Sequence, residues 1–245
     1  MSVCDVVYIM RFSDFMDQIS NNWRRLEERI ARAAELADRA AAEVEVVAIT
    51  KTRSAAAVEA AIRAGLRHVG ENKVQEAEAK KTDVGGAASW HFVGHLQTNK
   101  AGKAVALFDL VQSVDSVRLA TALDRRAAGA SRCLDILIQV NTSGAAQQHG
   151  VFPDDLIPLT EGIAGLPHLR LRGLMTIAEH CENSSQVRSC FSLLRTLGER
   201  LAAARIEGVD MRYLSMGMSA DFELAIAEGA NLVRLGTAIF GPRRD

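Results

Sequence analysis

Apolar positions along this chain change period in a regular way. From Asp14 to Ala42 they recur at three- and four-residue steps, through Phe15, Ile19, Trp23, Leu26, Ile30, Ala33, Ala37 and Ala40, with Asp, Glu, Arg and Asn between them. One apolar stripe on a polar cylinder predicts a helix laid on a larger body, and Ser13 is placed to cap it. The next run, Val44 to Thr50, is almost continuously apolar, rich in β-branched residues, and ends at Lys51. Such a run predicts a strand covered on both faces, as in a parallel sheet.

Beyond Lys51 the two patterns alternate. Further apolar runs end near Gly70, Val93, Ser113, Val140, Met175, Met216 and Leu235. Helical spacing fills the gaps: Ser54 to Ala64 with Gly65 as a stop, a polar stretch to Lys81, Ala101 to Ala106, Asp115 to Ala128, Pro153 to Ala164, Ser184 to Arg205, and Ala220 to Glu228. Gly85-Gly86 and the span from Asn141 to Gly150 carry no period and are predicted loops. Strands that each lead into a helix or turn imply right-handed βα units and a parallel sheet. Eight of them in a chain of 245 residues predict a closed (β/α)8 barrel. The rival is an open doubly wound sheet, which usually has fewer strands and often a glycine-rich first turn. Here that turn is Lys51-Thr52-Arg53-Ser54, without glycine. Residues 14–245 are therefore expected to form one domain that includes the helix at 14–42. Residues 1–13 are expected to be a disordered or loosely docked extension.

Composition narrows the function classes. The net charge is −1, so there is no basic excess for nucleic acid and no charged tail. Val3 to Phe12 is apolar but short, and it holds Asp5, so it is expected to be neither a signal peptide nor a membrane span. Cys4, Cys133, Cys181 and Cys190 form no CxxC pair and no zinc spacing with histidine. Reduced thiols and a cytoplasmic setting follow as expectations. His91 and His95 raise the idea of a metal pair, but on a strand they need not converge and no third ligand is evident, so no metal is expected.

A barrel presents the carboxyl ends of its strands on one rim, where ligands bind. Lys51, Glu71, Asn72, Gly94, His95, Gln97, Asn141, Thr142, Met175 and Thr176 fall there. The last two strand ends say most. Ser215-Met216-Gly217-Met218-Ser219-Ala220-Asp221 and Gly236-Thr237 are small-residue loops with free N–H groups and hydroxyls, which suit a phosphate. Arg234 interrupts the apolar strand Leu232-Val233-Arg234-Leu235, and a buried guanidinium needs a fixed acceptor. A lysine, a phosphate cradle and an inward arginine on one rim fit a cofactor that carries an aldehyde and a phosphate. Pyridoxal 5′-phosphate is such a group, and a phosphosugar Schiff-base aldolase would satisfy the same residues.

The strand ends also resemble a known family. VAITKT around Lys51, HVGENKVQE from His68 to Glu76, WHFVGHLQTNK from Trp90 to Lys100, LRGLMTI from Leu171 to Ile177, LSMGMSADFELAI from Leu214 to Ile226 and VRLGTAIFG from Val233 to Gly241 are similar to segments of the pyridoxal phosphate homeostasis proteins, the YggS/PROSC family. The resemblance implies a single fold-type III barrel like the N-terminal domain of alanine racemase. It implies Lys51 as the Schiff-base lysine and Asn72 as a pocket residue. Ser215 and Ser219 fall in the phosphate loop, with Ser219 as the direct donor. Gly236 and Thr237 match a second phosphate turn, and Arg234 matches the arginine that faces the pyridine nitrogen. It further implies a vitamin B6 homeostasis role, in which the cofactor is buffered or delivered to apoenzymes and amino- and keto-acid balance is affected. A slow amino-acid racemase is the alternative. No second, β-rich domain follows the eighth strand, so a monomer is expected. The chain departs from the family pattern at Ser54, where proline is common, at Ala145 and Gln148, where a glutamate and a lysine are common, and at Glu179, where proline is common. The changes at 145 and 148 take charge from a rim loop.

Overall fold

The structure is a computed structural model. It describes residues 3–84, 88–178 and 183–242, with side chains from residue 16 onward. The Gly85-Gly86 loop, Glu179, Cys181 and the side chain of Cys4 lie outside the described residues.

The chain opens with α1 (Val3–Glu35), then β1 (Glu45–Ile49) and α2 (Ala55–Arg63). Next come β2 (His68–Glu71), α3 (Val74–Lys81), β3 (Ser89–Phe92) and α4 (Ala101–Leu107). The middle of the chain is β4 (Leu110–Val114), α5 (Val117–Gly129), β5 (Leu134–Gln139) and α6 (Leu156–Ala164). It closes with β6 (Leu169–Met175), α7 (Ser184–Ala204), β7 (Val209–Ser215), α8 (Phe222–Ala227), β8 (Leu232–Leu235) and α9 (Thr237–Phe240). The strands pair in chain order, all parallel, and β8 returns to β1 to close the barrel. The predicted (β/α)8 barrel is therefore the fold.

Period-two alternation divides each strand between two cores. In β1, Val46 and Ala48 face the helices, while Val47 and Ile49 face the barrel interior. The inner core is small: Val47, Leu110, Leu137, Met175 and Leu232, with Ile49, Ile177 and Tyr213 against them. Polar side chains occupy the rest of the interior, among them the buried His91, Gln112, Ser215 and Arg234. Such groups are stable there only when hydrogen-bonded to one another.

The first helix differs from its prediction at both ends. It begins at Val3, so residues 3–13, read from sequence as an extension, continue the helix. It stops at Glu35, and Asp38 then takes a left-handed conformation (φ 53°) before a short 3-10 turn at Ala41–Glu43. Its buried stripe is Ile19, Leu26, Ile30, Ala33 and Ala34. This stripe packs along α2, α8 and α9, across the seam between the last and first βα units. Asn22 donates to the Ile239 carbonyl (2.9 Å), and Arg29 pairs with Glu223 while lying over the Phe222 ring.

Candidate functional site

Lys51 stands one turn past β1. The Arg53 N–H donates to the Thr50 carbonyl (2.9 Å), which closes a four-residue turn with Lys51 at its corner. Thr52 has φ 63°, a left-handed value that costs a branched residue about 1–3 kcal/mol. Its N–H donates to Glu76 Oε2 (2.9 Å), which holds the turn from α3. Beneath lies a buried polar cluster. Glu71 Oε1 accepts from Thr50 Oγ1 (2.6 Å) and from Lys80 Nζ (2.6 Å), and Lys80 Nζ also donates to the Thr50 carbonyl (2.7 Å). Burial holds the Glu71 carboxyl above the usual carboxylate range, although Lys80 and Thr50 pull it down. Ser54 accepts from the Ala57 N–H and caps α2. The base of Lys51 is thus fixed by contacts from α2, β2 and α3.

A cavity of about 320 Å³ opens beside it, lined by Ile49, Lys51, Arg53, Met218, Ser219, Ala220, Asp221, Arg234, Gly236 and Thr237. That volume is at the lower end of the range for small-molecule pockets. At the end of β8, the N–H groups of Gly236 and Ala238 converge on Ser219 Oγ, at 3.3 and 3.2 Å. The β7 loop turns at Gly217 (φ 91°), where a Cβ would meet the Ala225 Cβ at 2.5 Å, so glycine is required. Asp221 Oδ1 accepts the Met218 N–H and closes that loop.

Arg234 is 5% exposed. Its Nη1 donates to Ser215 Oγ (2.6 Å) and its Nη2 to the Thr176 carbonyl (2.7 Å). Burial pulls its pKa down to about 10, with Asp221 acting in the opposite direction, so it remains a cation at neutral pH.

The structure thus brings Lys51, Ser219, Arg234, Gly236 and Thr237 to one cavity. Ser215 stands apart. It is fully buried, and its hydroxyl accepts from Arg234 and donates to Gln112 (2.6 Å), so it braces the guanidinium from below. Asn72 is not among the residues lining this cavity, and its carbonyl lies under Gly94, where a Cβ would come within 2.2 Å of it. His91 and His95 do not converge: His91 points into the barrel toward Gln112. His95 instead meets Asp115 and His149 at the rim, with the two imidazoles stacked 4.0 Å apart. The Asn141 side chain folds the β5 loop on itself, donating to the carbonyls of Ala145 (2.8 Å) and Gln148 (3.2 Å).

A model of the alanine racemase N-terminal domain matches residues 16–244. The pyridoxal phosphate homeostasis protein of Pseudomonas aeruginosa is 42% identical over 229 residues, covering 93% of this chain and 97% of that one. This chain belongs to the pyridoxal phosphate homeostasis protein family. The Escherichia coli member is 38% identical, covering 93% of this chain and 98% of its own. Among solved structures, PipY of Synechococcus elongatus, determined with pyridoxal phosphate bound, is similar with a TM-score of 0.76 and 39% identity, over 86% of this chain and 100% of that one. Alanine racemase of Clostridium difficile, at 12% identity and a TM-score of 0.72, shares the fold alone.

Within this member of the family, three parts of the site escaped sequence reasoning. Gln112 breaks an apolar strand just as Arg234 does, and the same argument would have marked it. The Glu71–Lys80 pair gave little signal, because α3 is a short, mostly polar helix whose buried face shows only Val74 and Ala77 before Lys80. The left-handed Thr52 gave none.

Proposed function

We propose that this protein binds pyridoxal 5′-phosphate at the cavity beside Lys51, tethers it covalently and reversibly through the Lys51 amine, and serves to buffer or deliver it. One observation carries this reading: Lys51, Arg234, and the Ser219 and Gly236 pair joined by a hydrogen bond all line a single cavity. The donor set fits the group. A primary amine matches an aldehyde, two N–H groups and a hydroxyl match a phosphate, and a guanidinium matches a pyridine nitrogen that keeps its lone pair. The chemistry such a cofactor supplies is an electrophilic aldehyde and an electron-accepting ring.

The protein's own residues set what can follow. The turn around Lys51 is held from three elements, so the amine is presented without a search of backbone conformations. Arg234, a cation at neutral pH, opposes protonation of a ring nitrogen placed against it, and this restrains carbanion chemistry. A carrier benefits from that restraint. The homeostasis role, delivery to apoenzymes, a monomeric state and a cytoplasmic setting belong to the same proposal. Among the described residues no helix is long and apolar enough to cross a membrane.

The test is the spectrum of the purified protein mixed with the cofactor, followed by exchange of the α-hydrogen of amino acids in deuterated water. The carrier reading requires a visible band and exchange no faster than with free cofactor. Turnover well above that level favours the slow racemase, and no band after reconstitution overturns both. Arg234→Glu, which removes the cation and permits ring protonation, is expected to raise exchange by about tenfold or more. An unchanged rate contradicts the assigned role of Arg234.

A further inference from the structure

Below Arg234 a hydrogen-bonded series of side chains crosses the barrel from the cavity to the floor. Arg234 Nη1 meets Ser215 Oγ at 2.6 Å, Ser215 Oγ meets Gln112 Oε1 at 2.6 Å, and Gln112 Nε2 meets His91 Nδ1 at 2.9 Å. His91 Nε2 lies 3.2 Å from His68 Nδ1, and His68 Nε2 lies 3.0 Å from Glu45 Oε2. The series draws on β8, β7, β4, β3, β2 and β1 in turn. None of its members below Arg234 lines the cavity at Lys51.

Its polarity follows from the two ends. A guanidinium only donates, so Ser215 Oγ accepts from Arg234 and spends its own proton on Gln112 Oε1. The Gln112 amide must then present Nε2–H to His91, whose Nδ1 is an acceptor and whose proton sits on Nε2. His91 is neutral, because burial and, secondarily, the neighbouring His68 push its pKa down to about 3. His91 Nε2–H donates to His68 Nδ1, with Ser89 Oγ also within 3.2 Å, and His68 Nε2–H donates to Glu45. Glu45 is held below the usual carboxylate range, first by that bond, and Arg212 and Tyr213 of β7 also reach it. Along the series the hydrogen bonds run in one direction, from cation to carboxylate.

We propose that Gln112 and His91 are positioning residues for Arg234, and that their one-way hydrogen bonding makes protonation of His68 at the barrel floor register at Arg234 on the cofactor side. His68 and Glu45 line a floor cavity of about 180 Å³ together with Trp23, Gly65 and Arg67, and His68 is 22% exposed, so protons reach it from the face opposite Lys51. A proton on His68 Nδ1 would face the proton on His91 Nε2. The conflict is relieved when His91 moves its proton to Nδ1 and the Gln112 amide turns over. Gln112 Nε2 then donates to Ser215 Oγ, which must accept from both Gln112 and Arg234 and turn its own proton away. The Arg234 anchor is altered without any change in the cavity lining. Lys51, Arg53, Ser219, Asp221 and Thr237, which line the cavity with Arg234, and the Thr176 carbonyl that Arg234 meets all lie outside the series.

This rests on the assignment of Arg234 to the ring nitrogen, so the test has one arm without cofactor. Nitrogen-15 spectra of the histidine rings in the ligand-free protein are expected to show the His91 proton on Nε2 at high pH. It should move to Nδ1 as the pH is lowered, whereas in His68→Phe it should keep one tautomer throughout. A His91 proton on Nδ1 at high pH, or a wild-type tautomer indifferent to His68, overturns the proposal. In the second arm, the visible band of the loaded protein is expected to shift with the same midpoint in wild type and to lose that midpoint in His68→Phe. A tautomer switch in a protein that forms no visible band upholds the series and overturns the cofactor reading. A band that ignores the switch overturns the coupling to Arg234. Gln112→Glu, which keeps an acceptor for Ser215 but removes the Nε2 donor, is expected to release His91 from its Nε2–H tautomer, and an unchanged tautomer overturns the positioning role of Gln112.

Discussion

Lys51→Ala is expected to leave a folded protein that forms no visible band with pyridoxal 5′-phosphate. Lys51 lines the cavity and takes no part in the buried cluster beneath it, so the substitution itself should change stability by less than about 0.5 kcal/mol. The cofactor effect is much larger. A ligand at a hundred times its dissociation constant stabilises the folded state by about 2.7 kcal/mol. In a chain of this length that raises the melting temperature by roughly 5–10 °C. Wild type should show a rise of that size on adding cofactor. In Lys51→Ala the cradle at Ser219, Gly236 and Ala238 remains, so a small, phosphate-dependent rise should survive. Inorganic phosphate should compete it away. A variant that keeps the visible band shows that the amine lies elsewhere.

Lys80→Met is expected to produce the largest loss of stability among single substitutions near the site. The ammonium meets Glu71 at 2.6 Å in surroundings where Glu71 is fully buried, and Glu71 Oε2 has no hydrogen-bond partner among the described residues. Removing one partner of a buried pair leaves an uncompensated charge and costs about 3–5 kcal/mol. The pH dependence fixes the cause. Burial already holds the Glu71 carboxyl high, and loss of Lys80 removes what lowers it, so in the variant the protonated carboxyl is favoured further. A group whose folded pKa is raised is stabilising below its unfolded pKa, and that contribution is lost as pH rises through the folded value. Denaturation of Lys80→Met should therefore show a deficit that is small in mild acid and grows toward alkaline pH. A deficit independent of pH would mean that packing, not charge, is lost. The turn at Thr50 also loses the Lys80 bond to its carbonyl, so cofactor affinity should fall along with stability.

Much of this was legible in the residues. The change from three- and four-residue spacing to near-continuous apolar runs marks the strands, and strand ends on one rim bring Lys51, Ser219, Arg234, Gly236 and Thr237 together whatever the helices do. Helix ends were harder. Val3, Val6, Val7 and Met10 continue the spacing of α1, but their shortness and Asp5 made them look like a separate segment. Ser215 was placed with the phosphate because it shares a loop with Ser219; it ends β7 inside the barrel, where its hydroxyl accepts from Arg234. The interior series was invisible as a whole. Sequence shows that Gln112 and His91 sit in apolar strands, but which partner each meets depends on barrel closure, which lets side chains of β4 and β7 meet across the interior.

One amine, that of Lys51, is expected to carry the cofactor. Borohydride reduction of the loaded protein converts the carbon–nitrogen double bond between amine and aldehyde into a stable single bond, and peptide mass mapping then locates it. The expected result is a phosphopyridoxyl group on the peptide containing Lys51 and no other. A label on Lys73, Lys80 or another lysine, with Lys51 unmodified, contradicts the account.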